Sequence, residues 1–414
     1  AIRHQGAKEK VGAVCTSTFI YMALSGSVRR GLSSLKGLAA GKLPGQIVAP
    51  ANLARTQVAS IVSKTLRDAN YKRPAPFDYK SSKYGFIHAL MDKTTYRFDE
   101  NSKIIVVDGP IASGKTAFAK EIAEDLDMLY VPEANMDMIY INDYGFDMRK
   151  LDPQLPEDAR SCDISSFLKD PNQRNAAAMQ FEMYRLRLQQ YIDALAHVLS
   201  TGQGVVMDRS VYSDFVFVDT MAKFGFMSKG AQNLYYECKK ATASQLMRPH
   251  LCIYLDVPVD DVLKRLEARG DAPSPFLTRE VLSHMETVYK QQYLKEIGNH
   301  AELLIYNWSE SGDAEVVVED IERIDFERFD KNDSKLSDWR QPDEWEWCTK
   351  RMEYTKFADQ ILHWMNVPDF SVPELVMAAD DHKKFNDVWW SAPGMKYAKG
   401  FNEEHGDAFV LTKV

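Results

Sequence analysis

The run Ile104-Ile105-Val106-Val107-Asp108, followed at once by Gly109-Pro110-Ile111-Ala112-Ser113-Gly114-Lys115-Thr116, constrains this chain more than any other feature. A continuous β-branched run suits a strand buried on both faces, as in the interior of a parallel sheet. The eight residues after it fit G-x-x-x-x-G-K-[ST], and Phe118, Ile122 and Leu126 then recur at helical spacing. Strand, glycine-bearing turn and helix in that order make a phosphate-binding loop. Gly109 and Gly114 let successive N–H groups, including that of Ser113, line one concavity, and the positive end of the helix faces it. Lys115 is expected to reach the β- and γ-phosphates, and the Thr116 hydroxyl to join a Mg²⁺ shell. No G-x-G-x-x-G follows any strand, which disfavours a dinucleotide site.

Further short apolar runs cover Met128 to Val131, Val205 to Met207, Leu251 to Leu255 and Leu303 to Tyr306. Between them lie helical stripes, the longest through Phe181, Tyr184, Leu188, Tyr191, Leu195 and Val198. Strands alternating with helices of this length predict an α/β fold: a parallel five-stranded sheet flanked by helices. Polar residues at strand ends are then the natural site-builders. Glu133 follows one strand and Asp208-Arg209-Ser210 another, so a base and a cation could hold a substrate hydroxyl between them.

These segments resemble the deoxynucleoside kinases over about 200 residues. Met207-Asp208-Arg209-Ser210-Val211-Tyr212-Ser213-Asp214 is similar to that family's Glu-Arg-Ser-Val-Tyr-Ser-Asp segment. The resemblance implies that Arg209 contacts the nucleoside 5′ end, Asp208 the metal or phosphate region, and Asp214 the base side. It gives Glu133, in Pro132-Glu133-Ala134, the place of the general base, and Gln180 that of the amide reading the base. Arg265 and Arg269 fall in the helix leading to the lid. The implied ligand is a purine nucleoside phosphate, ATP or a deoxynucleotide, with Mg²⁺ held through Thr116 and Asp208.

The departures weigh against catalysis. Where the family's lid carries a second arginine and glutamates, this chain reads Arg269-Gly270-Asp271-Ala272-Pro273-Ser274-Pro275. A missing phosphate clamp can cost orders of magnitude in phosphoryl transfer. Asp208 in place of glutamate retracts its carboxylate by about 1.5 Å, and misplacement on that scale costs roughly a hundredfold in rate.

The flanks narrow the reading. From Val11 to Arg67 there is no Asp or Glu, while seven Arg and Lys residues stand among Ser, Ala, Gly and Leu. That is the composition of a mitochondrial presequence, and Met22 reads as its start. All seven tryptophans lie between Trp308 and Trp390 in strongly acidic sequence, which suits either a docking surface or an irregular wrap. The expected organisation is residues 1–70 as presequence and disordered N-terminal segment, 71–103 as lead-in, 104–306 as the phosphate-loop domain and 307–414 as a C-terminal extension. From residue 84 onward, including Asp387-Val388-Trp389-Trp390-Ser391-Ala392-Pro393-Gly394, the chain is similar to the kinase-like accessory subunits of mitochondrial NADH:ubiquinone oxidoreductase, complex I. That resemblance implies a non-electron-carrying subunit on the matrix side of the inner membrane, supporting assembly or stability beside other complex I subunits. The alternative is an active mitochondrial deoxynucleoside kinase. A net charge of −8 argues against nucleic acid as a partner. Five scattered cysteines have neither zinc nor iron–sulfur spacing, and no apolar run is long enough to span a bilayer.

Overall fold

A computed structural model describes residues 14–15, 60–67, 71–270, 274–310, 312–327, 333–366 and 372–407. The five expected strands form one parallel sheet: β1 (Ile104–Asp108), β2 (Leu129–Val131), β3 (Val205–Asp208), β4 (Leu251–Asp256) and β5 (Glu302–Asn307), in the order β2-β3-β1-β4-β5. All five residues of β1 are buried, as its unbroken β-branched run requires. The chain leaves β1 toward one edge of the sheet and later returns to the other side, so β1 stands at the switch point. A crevice opens there at the carboxyl ends of the strands. Register places Val107 opposite Asp208, and Asp108 opposite Tyr254, which brings the polar strand ends level with the loop.

Around the sheet lie α1 (Lys115–Asp125), α2 (Ala176–Thr201), α3 (Phe215–Lys223), α4 (Lys229–Ala243), α5 (Val259–Arg269), α6 (Arg279–Val288) and α7 (Ala314–Glu322). The 26-residue α2 is buried around most of its circumference, more than a one-sided stripe predicts. The extension supplies the extra cover. Its helix α8 (Glu344–Thr355) packs on α2, and Tyr354 accepts from the Met247 amide at 3.1 Å while donating to the Gln245 carbonyl at 2.9 Å. Arg351, on the same helix, is fully buried and donates to Ser200 on α2 and to Asp92 of the lead-in. The Tyr84 hydroxyl, also from the lead-in, meets Cys348 at 3.2 Å.

Of the two readings of the extension the structure favours the wrap, and one boundary changes. The extension is a helical wrap of the domain: Trp308 and Trp389 are buried, and the Trp339 ring nitrogen donates to the Arg248 carbonyl at 2.7 Å. Trp345 and Trp364 remain exposed. At the other end, packed chain begins ahead of residue 70. Ile61 is buried in the main core, and Asn101 exchanges hydrogen bonds with both the amide and the carbonyl of Val62. An apolar residue inside a basic, acid-free segment is what carries residues 60–67 into the fold. Val14–Cys15 pairs antiparallel with Val376–Met377, and the remainder of the expected presequence lies outside the described residues. Among the described residues no helix is long and apolar enough to cross a membrane.

Candidate functional site

The loop between β1 and α1 has the backbone its glycines predict. Gly114 takes φ 90°, and Gly109 lies so close to β4 that a Cβ there would sit 2.7 Å from the Leu255 carbonyl oxygen. Lys115 is buried at the mouth, its ammonium donating to the Pro110 carbonyl at 2.8 Å and to the Ser113 hydroxyl at 3.3 Å. Burial, reinforced by the nearby Arg209 cation, pulls its pKa down to about 8. The Thr116 hydroxyl donates to one oxygen of Asp208, while the other oxygen of that carboxylate is buried without a hydrogen-bond partner. Burial raises the Asp208 pKa, with the Lys115 charge opposing. A hydroxyl beside an under-satisfied carboxylate oxygen fits Mg²⁺, which takes one or two protein oxygens and completes its shell with phosphate and water.

Arg209 organises the next layer. Its φ of 64° is left-handed, a conformation that costs a non-glycine residue on the order of 1 kcal/mol. The turn aims a buried guanidinium at Glu133 (2.8 Å), at the Gly109 carbonyl (3.2 Å) and at the Tyr289 hydroxyl. Asp108, wholly buried, stands 3.7 Å from that guanidinium and accepts from Ser213 and Tyr293. Glu133 is also reached by Arg187 at 3.3 Å. Burial alone would raise the Glu133 pKa, but Arg209, Lys115 and Arg187 outweigh it and hold the group down at about 2. A general base works best near the operating pH. Held between two arginines, the Glu133 carboxylate stays ionised.

Farther along the crevice, the Gln180 amide nitrogen donates to Asp214 at 3.0 Å. Asp214 also accepts from Tyr235 and Arg187, so it sits behind the pocket wall as the buried acceptor that orients Gln180 and Arg187. Arg265 is held by backbone: it donates to the carbonyls of Ala112 (3.4 Å), Ser113 (3.0 Å), Trp308 (2.6 Å) and Ser309 (2.9 Å). It therefore braces the phosphate loop while lining the cavity beside it. Arg269 closes α5 and lines the same cavity, and residues 271–273 of the lid segment lie outside the described residues.

One cavity of about 900 Å³ joins these groups, from Gly114, Lys115 and Thr116 past Glu133 and Arg209 to Gln180 and Met183. That volume suits a ligand of nucleotide size. Sequence reasoning missed Asp108, Arg187, Tyr235 and Tyr289. A carboxylate ending a buried strand and an arginine inside an apolar helical stripe were the signals for the first two; the tyrosines gave none.

A phosphate loop at the switch point, opening into a nucleotide-sized cavity with a carboxylate–arginine pair, defines a nucleoside-kinase type of α/β protein. The family model for deoxynucleoside kinase matches residues 105–340. The mouse protein "NADH dehydrogenase [ubiquinone] 1 alpha subcomplex subunit 10, mitochondrial" is 36% identical over 334 residues, covering 80% of this chain and 90% of that protein. Deoxyguanosine kinase of Dictyostelium discoideum is 26% identical over 233 residues, 56% of this chain and 73% of the enzyme. The chain belongs to the deoxynucleoside kinase family, in the branch of alpha subcomplex subunit 10 of mitochondrial NADH dehydrogenase. A solved deoxyadenosine kinase from M. mycoides with bound dATP covers 53% of this chain and 98% of its own at 15% identity. Its TM-score is 0.40, too weak a likeness to argue from.

Proposed function

We propose that this chain is an accessory subunit of mitochondrial complex I, peripheral to the inner membrane on the matrix side. It supports the assembly or stability of the complex, carries no electrons, and keeps a pocket for a purine nucleoside phosphate with Mg²⁺. The observation that carries this reading is the 334-residue likeness to the mouse subunit, a longer span than the kinase model's 105–340. The geometry supports it. Glu133 is held as an anion by Arg209 and Arg187, a poor starting state for a general base near neutral pH. In the pocket, Lys115 and the loop amides take the phosphates, Thr116 and Asp208 the metal, and Gln180 the base.

An active deoxynucleoside kinase is the second reading, favoured by the unbroken cavity from Lys115 to Gln180. Native-gel migration of the tagged chain from mitochondria separates the two. Migration with NADH dehydrogenase activity at megadalton size supports the subunit; a small species that phosphorylates deoxynucleosides supports the kinase.

A further inference from the structure

Among the described residues, a cluster of exposed apolar side chains lies away from the pocket, on the helix Phe86–Met91 of the lead-in. Phe86, Ile87, Leu90 and Met91 are 59%, 68%, 65% and 75% exposed, leaving only Ala89 of that helix buried. Trp345, at the start of α8, continues the patch, its ring 5.6 Å from that of Phe86 and 46% exposed. Isolated surface apolar residues need no explanation, but a contiguous group of this kind marks an interaction site. The patch is also rigid, because its two elements are cross-linked beneath by Arg351 to Asp92 and by the Glu344 carboxylate to the Thr94 and Thr95 amides.

Charge around the patch identifies what covers it. Asp92 and Glu344 are turned inward by those bonds, whereas Lys93 and Lys356 remain exposed beside the helix. A bilayer fits less well. Six residues span about 9 Å, a short footing for an interfacial helix, and exposed Glu346 at the border would face anionic headgroups.

We infer that the Phe86–Met91 helix and Trp345 form the docking face for a partner protein subunit, one offering an apolar groove with carboxylates opposite Lys93 and Lys356. The inference rests on the accessory-subunit reading and names the surface through which it is realised. The test expresses the full-length chain in cells lacking it, as wild type and as Ile87→Asp/Leu90→Asp, with Lys115→Ala as a pocket control. Co-migration with NADH dehydrogenase on native gels is expected to fall at least tenfold for the double variant, while its melting temperature and nucleotide binding match wild type. Ile87→Ser/Leu90→Ser is expected to give the same loss, and it carries the test should the aspartates disturb folding. Unchanged co-migration of a folded double variant overturns the docking face. So does flotation of the wild-type chain on cardiolipin-containing vesicles that the double variant abolishes, since the occupant is then the bilayer. A wild-type chain that never enters the complex overturns the accessory-subunit reading itself, and the docking face with it.

Discussion

The guanidinium carbon of Arg351 lies 3.8 Å from the centroid of the Tyr84 ring. The same side chain stands 4.8 Å from Phe77 and donates to Asp92 at 3.0 Å, so one arginine of the extension is enclosed by three residues of the lead-in. The two segments flanking the nucleotide domain hold each other, and together they cover α2.

Replacing Arg351 by alanine therefore removes a buried cation from an ion pair and from two aromatic faces. Because Asp92 is partly exposed and keeps Arg97, the loss is set by the vacated volume and the aromatic faces, about 1–3 kcal/mol. Urea denaturation should show a loss of that order, with a smaller one for Arg351→Met, which keeps the packing stem. An unchanged midpoint for the alanine variant would mean that the clamp contributes nothing. Deleting the extension from Asp338 should likewise lower the stability of the whole domain, because Tyr354 and Arg351 leave α2 exposed. Point substitutions are thus the cleaner probe of docking.

The phosphate loop makes a prediction about protons as well as affinity. Lys115→Ala should weaken binding of a purine nucleoside triphosphate by roughly 10- to 150-fold, the value of a charge-assisted contact. Since burial lowers the Lys115 pKa to about 8, an incoming phosphate restores the charged form. Binding should take up a proton near and above pH 8 and little at pH 6.5. Calorimetry in buffers of different ionisation enthalpy measures this, and buffer-independent heats at pH 8.5 would refute it.

Glu133→Gln should leave the fold and the assembly of the complex near normal, whereas an active kinase would lose its function. The sign of the acid response follows from the depressed pKa. A carboxyl held at about 2 when folded stabilises the protein fully above its ordinary value and loses that contribution as pH falls toward 2. Acid unfolding curves of wild type and Glu133→Gln should consequently converge in that window. Rescue of null cells by wild type but not by Glu133→Gln would favour the kinase.

The basic segment predicts import. Residues 22–59 fused to a fluorescent reporter should carry it into mitochondria and be trimmed. The fusion stops short of Ile61, because that residue belongs to the folded core. A cytosolic reporter would remove the presequence from the account.

Much of the domain was legible because its signals are local. The β-branched run of β1 and the glycines of the loop state their conformation within a dozen residues, and Glu133, Asp208 and Arg209 announce themselves by ending strands. What stayed hidden depends on partners distant in sequence. Asp108 receives Tyr293 from 185 positions away, and Asp214 gathers Gln180, Arg187 and Tyr235 from two helices. The covering role of α8 was obscured because its inward face carries Arg351, a charge that periodicity assigns to solvent. Asp214 was expected on the base side; it is fully buried, its carboxylate taken by Gln180, Arg187 and Tyr235.

Closing the domain through its two flanks has a kinetic consequence. The Tyr84 hydroxyl and its Cys348 partner are 264 residues apart. A chain drawn into the matrix from its N-terminus delivers Tyr84 and Phe77 well before the arginine that encloses them. During that interval the face of α2 that α8 will cover is bare, and the incoming chain is at its stickiest. The last segment to arrive acts as the latch, and a chain that stalls short of it is one for chaperones and proteases to meet first.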